Sequence, residues 1–178
     1  MSKRLRRWQK LVRFFKGGRL IDLGCLDSLI PQIAKEKYPK AEVWGLDYAD
    51  EVIKFYGEKY PGINYIVGDV YKTHFPSGYF DYVVAGELIE HLERPGDFLR
   101  EAFRILRPKG YFMLSTPLEE AVEPGAVDER RHLWSYTKED VHELLGQYGN
   151  VRVNVLRSKW WPKYKYAFPT MVVSVIKK

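Results

Sequence analysis

The sequence predicts an α/β fold: a Rossmann-like open sheet, mostly parallel, with helices on both faces and an antiparallel hairpin at its C-terminal end. Three observations predict it. Short apolar runs alternate with segments of helical period from residue 19 to residue 145. The segments between those runs are long enough to carry crossover helices, as parallel neighbours require. After residue 150 the pattern changes, and two apolar runs follow with no helical period between them.

The elements follow in order. Residues 3–16 place Leu5, Trp8, Val12 and Phe15 on one stripe, with Leu11 and Phe14 beside it, which predicts a basic amphipathic helix ended by Gly17-Gly18. Such a helix packs on its domain or lies on a membrane surface. A strand is expected over 19–23, stopped by Gly24, then a helix capped by Ser28 and running to about residue 38, with Pro31 tolerated in its first turn. A second strand at 41–46 ends at Asp47, and Asp50 is expected to cap a helix to about residue 59. Strands at 63–67 and 80–85 follow, then a helix opened by Pro95 and running to 106, and a strand at 111–115 after Gly110. Thr137-Lys138-Glu139-Asp140 resembles a capping box, opening a helix to about residue 145. The last two strands, 151–156 and 171–176, are expected to pair antiparallel.

The 178 residues suit one domain. With 46% apolar and 29% charged residues the chain is in the globular range, which argues against wholesale disorder. No apolar run approaches the ~18 residues of a membrane span. The single cysteine, Cys25, excludes an intramolecular disulfide and a cysteine-rich zinc site, and fits a reducing, cytoplasmic setting. The basic N-terminus is not followed by a long apolar stretch, so a secretory signal is not expected.

Charge is unevenly placed. Residues 1–19 hold eight basic residues and no acid, and residues 151–178 hold seven and no acid. Residues 20–150 carry the other 14 basic residues and all 23 acids, a net charge of −9 within a chain of +6. The basic ends either attract an anionic partner, such as nucleic acid, a phosphorylated metabolite or a lipid surface, or keep two peripheral elements solvated.

Ligands of an open α/β sheet bind beyond the carboxyl ends of its strands. Asp22 in the first strand, Asp47 after the second and Asp69 after the third fall there. Asp47 follows Gly24 by 23 residues, a place suited to a bidentate hydrogen bond with two vicinal ribose hydroxyls. A dinucleotide fingerprint would need glycine at 26 and 29, where the chain has Leu26 and Leu29, and no Gly-Lys-Ser/Thr of a P-loop occurs. The alternative for Asp47 and Asp69 is that they cap turns.

Taken in order, Leu20-Ile21-Asp22-Leu23-Gly24-Cys25, Gly45-Leu46-Asp47, Gly68-Asp69-Val70, Phe80-Asp81-Tyr82-Val83-Val84-Ala85 and Leu106-Arg107-Pro108-Lys109-Gly110-Tyr111 resemble the class I S-adenosylmethionine-dependent methyltransferases, in the manner of their type 11 and type 23 groups, across residues 18–116. The resemblance implies S-adenosylmethionine as cofactor. It implies that Gly24 and its neighbours Asp22, Cys25 and Leu26 lie against the methionine part. Asp47, with Tyr48 beside it, would hold the ribose. Asp69, with Val70, would hold the adenine amino group, and Ala85, Gly86 and Glu87 would line the sulfonium side. The family's turn reads Asp-Leu-Gly-Cys-Gly-x-Gly; this chain has Leu26 and Ser28 where the later glycines stand.

After the fourth strand comes Gly86-Glu87-Leu88-Ile89-Glu90-His91-Leu92. On a helical turn Glu87, Glu90 and His91 share one face. Two carboxylates and an imidazole suit a divalent metal or a general base; equally, Glu90 and His91 bond each other or cap a turn. The Glu-x-x-Glu-His run is similar to that of ubiquinone-pathway O-methyltransferases. It is also similar to that of small-RNA 3′-terminal 2′-O-methyltransferases, in which these residues hold a metal together with a downstream histidine, here His132 before Leu133-Trp134-Ser135-Tyr136-Thr137. The candidate catalytic pair is His91 as base, because an unperturbed histidine titrates near neutrality, and Glu90 as its orienting partner. The candidate metal set, with Mg²⁺ in view, is Glu87, Glu90, His91 and His132. Arg130 and Arg131 either bind an acidic substrate group or pair with Glu119, Glu120 and Glu129.

The whole is read as one methyltransferase domain over 1–178: the basic helix at 1–17, the cofactor-binding core at 18–116, a lid-like segment at 117–136, and a C-terminal helix and hairpin at 137–178. The loop from Ser158 to Pro169 interleaves Trp160, Trp161, Tyr164, Tyr166 and Phe168 with Lys159, Lys163 and Lys165. That pattern suits a wall of the acceptor site, packing, or contact with a lipid interface. The expected function is O-methylation of a small-molecule acceptor. The alternatives are metal-dependent RNA ribose 2′-O-methylation and a nucleotide-binding relative that has lost catalysis.

Overall fold

The computed structural model describes residues 8–27, 29–118, 132–156 and 169–178. Seven strands form one sheet: β1 (Arg19–Leu23), β2 (Glu42–Asp47), β3 (Asn64–Val67), β4 (Phe80–Gly86), β5 (Leu106–Pro117), β6 (Gly149–Leu156) and β7 (Thr170–Lys177). Their order is β3-β2-β1-β4-β5-β7-β6. All neighbouring pairs are parallel up to β5, and β7 runs antiparallel to both β5 and β6. The mostly parallel sheet and the late antiparallel hairpin are therefore as the sequence predicts. Strand β6 is consequently parallel to β5, so its exit lies at the same edge of the sheet as the exits of β1 to β5.

Helices α2 (Leu29–Lys37), α3 (Asp50–Lys59), α4 (Pro95–Ile105) and α5 (Lys138–Gly146) occupy the expected connections. Alternation along the strands sorts side chains onto two faces. Ile21, Leu23, Val83, Ala85, Phe112 and Leu114 face one cluster with Phe98, Leu99 and Ala102 of α4. Leu20, Tyr82, Val84 and Met113 face the other, with Ile30 and Ala34 of α2. The first helix, α1, is helical at 8–11 and continues as a turn through 14, ending earlier than the expected residue 16. Trp8, Leu11, Val12 and Phe15 are nonetheless all buried in the second cluster, and Phe15 packs edge-on to Tyr38 and Tyr82. The apolar face of the described part of α1 is thus covered by its own domain.

Two local expectations are corrected. Asp50 is not the cap of α3. The N-cap is Ala49, without a side-chain bond, because Asp47 Oδ1 already accepts the Ala49 N–H (3.1 Å) and starts the turn from the strand end. Strand β5 begins at Leu106, directly after α4, rather than at 111. The extra residues form a bulge: Phe80 pairs with Leu106 but Tyr82 with Tyr111, Lys109 takes a φ of 60°, and Arg107 reaches Asp81 (2.5 Å). The expected cap Ser28 lies outside the described residues; at the start of α2, Asp27 Oδ1 accepts from Leu29 N (3.1 Å). The capping box at Thr137 and Asp140 is present, with both reciprocal bonds made.

Because Phe15 is buried and packs against Tyr38 and Tyr82, Phe15→Ala is expected to cost ~3–5 kcal/mol. For a domain of this size that lowers Tm by roughly 6–20 °C in a thermal melt. A loss near 1 °C would mean that α1 contributes little to the fold.

Candidate active site

The turn after β1 is fastened to β2. The backbone N–H groups of Gly24 and Cys25 both donate to Leu46 O (2.8 and 3.2 Å). Gly24 has a φ of +74°, and a Cβ there would lie 2.8 Å from Leu88 Cδ1, so both its conformation and its neighbour demand glycine. Asp22, two residues earlier in β1, is 2% exposed, and its Oδ1 has no hydrogen-bond donor among the described residues. Burial, and behind it the charges of Asp27 and Asp47, push its carboxyl well above the usual range. A buried acceptor without a donor is costly in the free protein, and it marks a place for a cationic or N–H-bearing ligand group.

A second group of residues leaves β4. Glu87 has a φ of 55°, a strained conformation for a residue with a side chain. It is clamped to β5 twice: its N–H donates to Ser115 O (2.9 Å), and its Oε1 accepts from Ser115 Oγ (3.0 Å). The helix that was expected to carry Glu87, Glu90 and His91 on one face is only a 3₁₀ turn, Ile89–His91, and Glu87 precedes it. Glu90 is buried, and its Oε2 accepts from Thr116 Oγ1 (3.1 Å). Its carbonyl accepts from Leu133 N (2.8 Å) and Trp134 N (3.2 Å), while Trp134 Nε1 donates to Leu92 O (2.7 Å). These bonds lay residues 132–134 along the 3₁₀ turn. The His132 ring consequently stands 4.8 Å from the His91 ring, nearly perpendicular to it.

Glu90, His91 and His132 each offer one ligand atom, and these lie within 4.8 Å of one another. Glu87 is not in this group. Three of the four expected metal ligands therefore converge, and the fourth carboxylate is directed to Ser115. Two imidazoles and one carboxylate suit softer first-row cations such as Mn²⁺, Fe²⁺ or Zn²⁺ better than Mg²⁺, which favours oxygen ligands and keeps its waters.

One cleft of about 480 Å³ joins the two groups. Asp22, Gly24, Leu26 and Asp27 line it from the β1 side; Gly86, Glu87, Glu90, His91 and His132 line it from the β4 side. Leu26 is 59% exposed, so the residue standing in place of a glycine forms part of the wall. The other expected cofactor residues are placed differently. Asp47 is buried at the end of β2; Asp69 is exposed beyond β3 and its Oδ1 accepts from Tyr71 N (2.8 Å). Each of these acids thus makes the turn bond that its alternative reading required. Tyr48 is 86% exposed, and Val70 packs partly against the core. Cys25 and Ala85 have side chains in the core, so they offer a ligand only their backbone. Burial pushes the Cys25 thiol up.

Sequence reasoning missed Trp8, Asp27 and Ile30, which also line the cleft. Trp8 was legible only as a core residue of an amphipathic helix, since nothing in its period says that the helix ends over the ligand side. Tyr136 was missed too: it is buried, its hydroxyl has no hydrogen-bond partner among the described residues, and burial with the nearby Glu90 and Asp140 pushes its pKa up. Arg130, Arg131, the loop 158–168 and most of the segment 117–136 lie outside the described residues.

Residues 21–114, just over half of the chain, match the family described as methyltransferase domain. A Mycolicibacterium smegmatis protein named "probable S-adenosylmethionine-dependent methyltransferase" is 31% identical over 122 residues, covering 66% of this chain and 45% of that protein. A demethylmenaquinone methyltransferase of Listeria monocytogenes is 32% identical over 108 residues, covering 57% and 45% respectively. The chain spans less than half the length of these curated relatives. Among solved structures, the PH0226 protein of Pyrococcus horikoshii has a TM-score of 0.73 at 19% identity, covering 99% of this chain and 92% of that one. Phosphoethanolamine N-methyltransferase 2 of Haemonchus contortus, solved with phosphomonomethylethanolamine and S-adenosylhomocysteine, has a TM-score of 0.77 at 17% identity, covering 97% of this chain and 52% of that one. The [4+2]-cyclase SpnF reaches 0.78 at 15% identity, covering 97% and 81%. The structural likenesses concern the fold.

Asp22 carries a pH signature. Its native pKa lies above its unfolded one, so the native state keeps a proton that the unfolded chain has lost. That contribution is complete below about pH 4 and is lost as pH rises through the native value. Asp22→Asn removes the loss. The Tm of the ligand-free variant is expected to equal that of the wild type near pH 4 and to exceed it as pH rises above that, up to the native pKa. A constant difference across that range would show that Asp22 is not desolvated.

Proposed function

The chain belongs to the class I S-adenosylmethionine-dependent methyltransferases, and from that premise we propose that it transfers a methyl group from S-adenosylmethionine to an oxygen atom of a small-molecule acceptor. The observation that carries this reading is the cleft that joins Asp22, whose Oδ1 has no hydrogen-bond donor among the described residues, to the imidazoles of His91 and His132. One end has the chemistry to hold a cationic amino-acid moiety; the other has the chemistry to take a proton.

In this reading Asp69 accepts from the adenine amino group, with Val70 beside the ring. Asp47 accepts from the two ribose hydroxyls next to Tyr48. The turn bonds that Ala49 N and Tyr71 N make to these acids orient the carboxylates before a ligand arrives. Gly24 and Leu26 border the methionine part, and Asp22 Oδ1 gains from its ammonium group the donor it lacks. Cys25 and Ala85 contribute main chain, while Gly86 and Glu87 border the reacting end.

S-adenosylmethionine supplies the methyl carbon and leaves as a neutral thioether, so the protein need not protonate a leaving group. What remains for the chain is to align the acceptor, exclude water and remove one proton. As the acceptor oxygen forms its new bond to carbon, His91 takes the hydroxyl proton on a ring nitrogen. The carboxylate of Glu90, held by Thr116, faces the resulting imidazolium and balances its charge. The three-atom cluster supports a second reading, in which Glu90, His91 and His132 hold a divalent cation that would bind the acceptor oxygen and favour its ionised form.

Asp47→Ala is expected to weaken S-adenosylhomocysteine binding tenfold or more in calorimetry, because a charge-assisted hydrogen bond is worth ~1.5–3 kcal/mol. Unchanged affinity would remove Asp47 from the site. With a panel of phenols and catechols as acceptors, His91→Ala is expected to lower turnover by ~10²–10⁴ while cofactor affinity stays within twofold. Wild-type turnover in that variant would refute the base. Loss of activity in EDTA, restored by Mn²⁺ or Zn²⁺, would select the metal reading. Turnover only on an RNA 3′ end would replace the small-molecule acceptor.

A further inference from the structure

The wall that α1 adds to the cleft reaches beyond the methyltransferase reading, although it rests on it. Trp8 is 4% exposed and still lines the cleft with Asp22, Gly86 and Glu87. Its six-membered ring lies on the end of β4: a Cβ on Gly86 would be 2.5 Å from Trp8 Cζ3 and 3.0 Å from Cη2. Leu11, Val12 and Phe15 bury the rest of the helix in the core and so hold the ring in place.

The sheet order fixes what lies under that ring. Across β3, β2, β1 and β4 the carboxyl ends present Asp69, Asp47, Asp22 and Glu87 in turn. A donor with its base at Asp69, its ribose at Asp47 and its ammonium group at Asp22 carries its sulfur, which lies between ribose and methionine, past the gap between β1 and β4, where Trp8 meets Gly86. That sulfur is a sulfonium cation before transfer and a neutral thioether afterwards. The face of a tryptophan attracts a cation, most strongly where water is excluded. Among the described residues that line the cleft there are four acids, Asp22, Asp27, Glu87 and Glu90, and no lysine or arginine. We propose that Trp8 is a specificity-determining residue that contacts the sulfonium, and that it makes the site hold S-adenosylmethionine more tightly than S-adenosylhomocysteine. The lost attraction after transfer then speeds release of the product.

The test is calorimetry on the full chain with three ligands: S-adenosylmethionine, S-adenosylhomocysteine, and sinefungin, which carries an ammonium at the reacting position. Wild type is expected to prefer both cationic ligands. Trp8→Leu keeps an apolar side chain in the core but is expected to lose threefold or more of that preference, with S-adenosylhomocysteine affinity within twofold. Trp8→Phe is expected to keep it. If the leucine variant does not fold, fluorinated tryptophan weakens the negative ring face without changing its packing. It should reduce the preference in wild type and leave it unchanged in Trp8→Phe. Equal weakening for all three ligands, no effect of fluorination, or a wild type that prefers S-adenosylhomocysteine overturns the proposal. A wild type that binds none of the three overturns the methyltransferase reading itself.

Discussion

Strands β1 and β4 lie side by side, but the chain leaves their carboxyl ends toward opposite faces of the sheet, and that divergence holds the cleft open. Helix α2, which follows β1, packs with Ile30 and Ala34 into one core cluster; α4, which follows β4, packs with Phe98 and Leu99 into the other. No connection can cover the gap between strands whose crossovers part there. Everything that carries chemistry is arranged around it. The turn after β1 brings Asp22, Gly24 and Leu26 to one side, and the turn after β4 brings Glu87, Glu90 and His91 to the other. The N-terminal helix reaches the same gap because its apolar stripe packs on the face that α2 occupies.

Two unfavourable features stand at the gap. Asp22 Oδ1 is buried with no donor among the described residues, and Glu87 takes a left-handed backbone conformation. Neither feature helps the chain fold. The surroundings that tolerate them are well made: the Gly24 turn is double-bonded to Leu46, and Glu87 is clamped to Ser115 by main chain and side chain. Glu101, away from the cleft, takes hydrogen bonds from Arg104 and Thr73, which hold its pKa down to about 2. The two acids differ in what surrounds them: donors around Glu101, apolar burial and other acids around Asp22.

The Asx turns at Asp47 and Asp69 are compatible with the ligand roles proposed for these acids. A carboxylate has two oxygens with several acceptor sites between them. One oxygen can organise the local turn while the other remains directed to a ligand, and the turn then fixes the orientation in advance. Leu26 and the residue at 28 depart from the glycine-rich turn of the family, yet Gly24, where positive φ and the contact with Leu88 both matter, is retained.

Much of this was legible in the sequence. The alternation of periods determined the strands, the crossovers and the antiparallel hairpin, because hydrophobic period depends only on which residues must face a core. The places of Asp22, Asp47 and Asp69 at strand ends followed from the same pattern, and the Thr137–Asp140 cap followed from local chemistry. What the sequence by itself could not determine was decided by contacts between residues far apart along the chain. Spacing alone put Glu87, Glu90 and His91 on one helical face, but hydrogen bonds to Ser115 and Thr116 of β5 separate Glu87 from Glu90, and the carbonyl of Glu90 draws in Leu133 and Trp134 so that His132 meets His91. The bulge in β5 and the arrival of Trp8 over Gly86 have the same origin. Local spacing limits which side chains share a face, but only the packed chain decides which of them share a cleft.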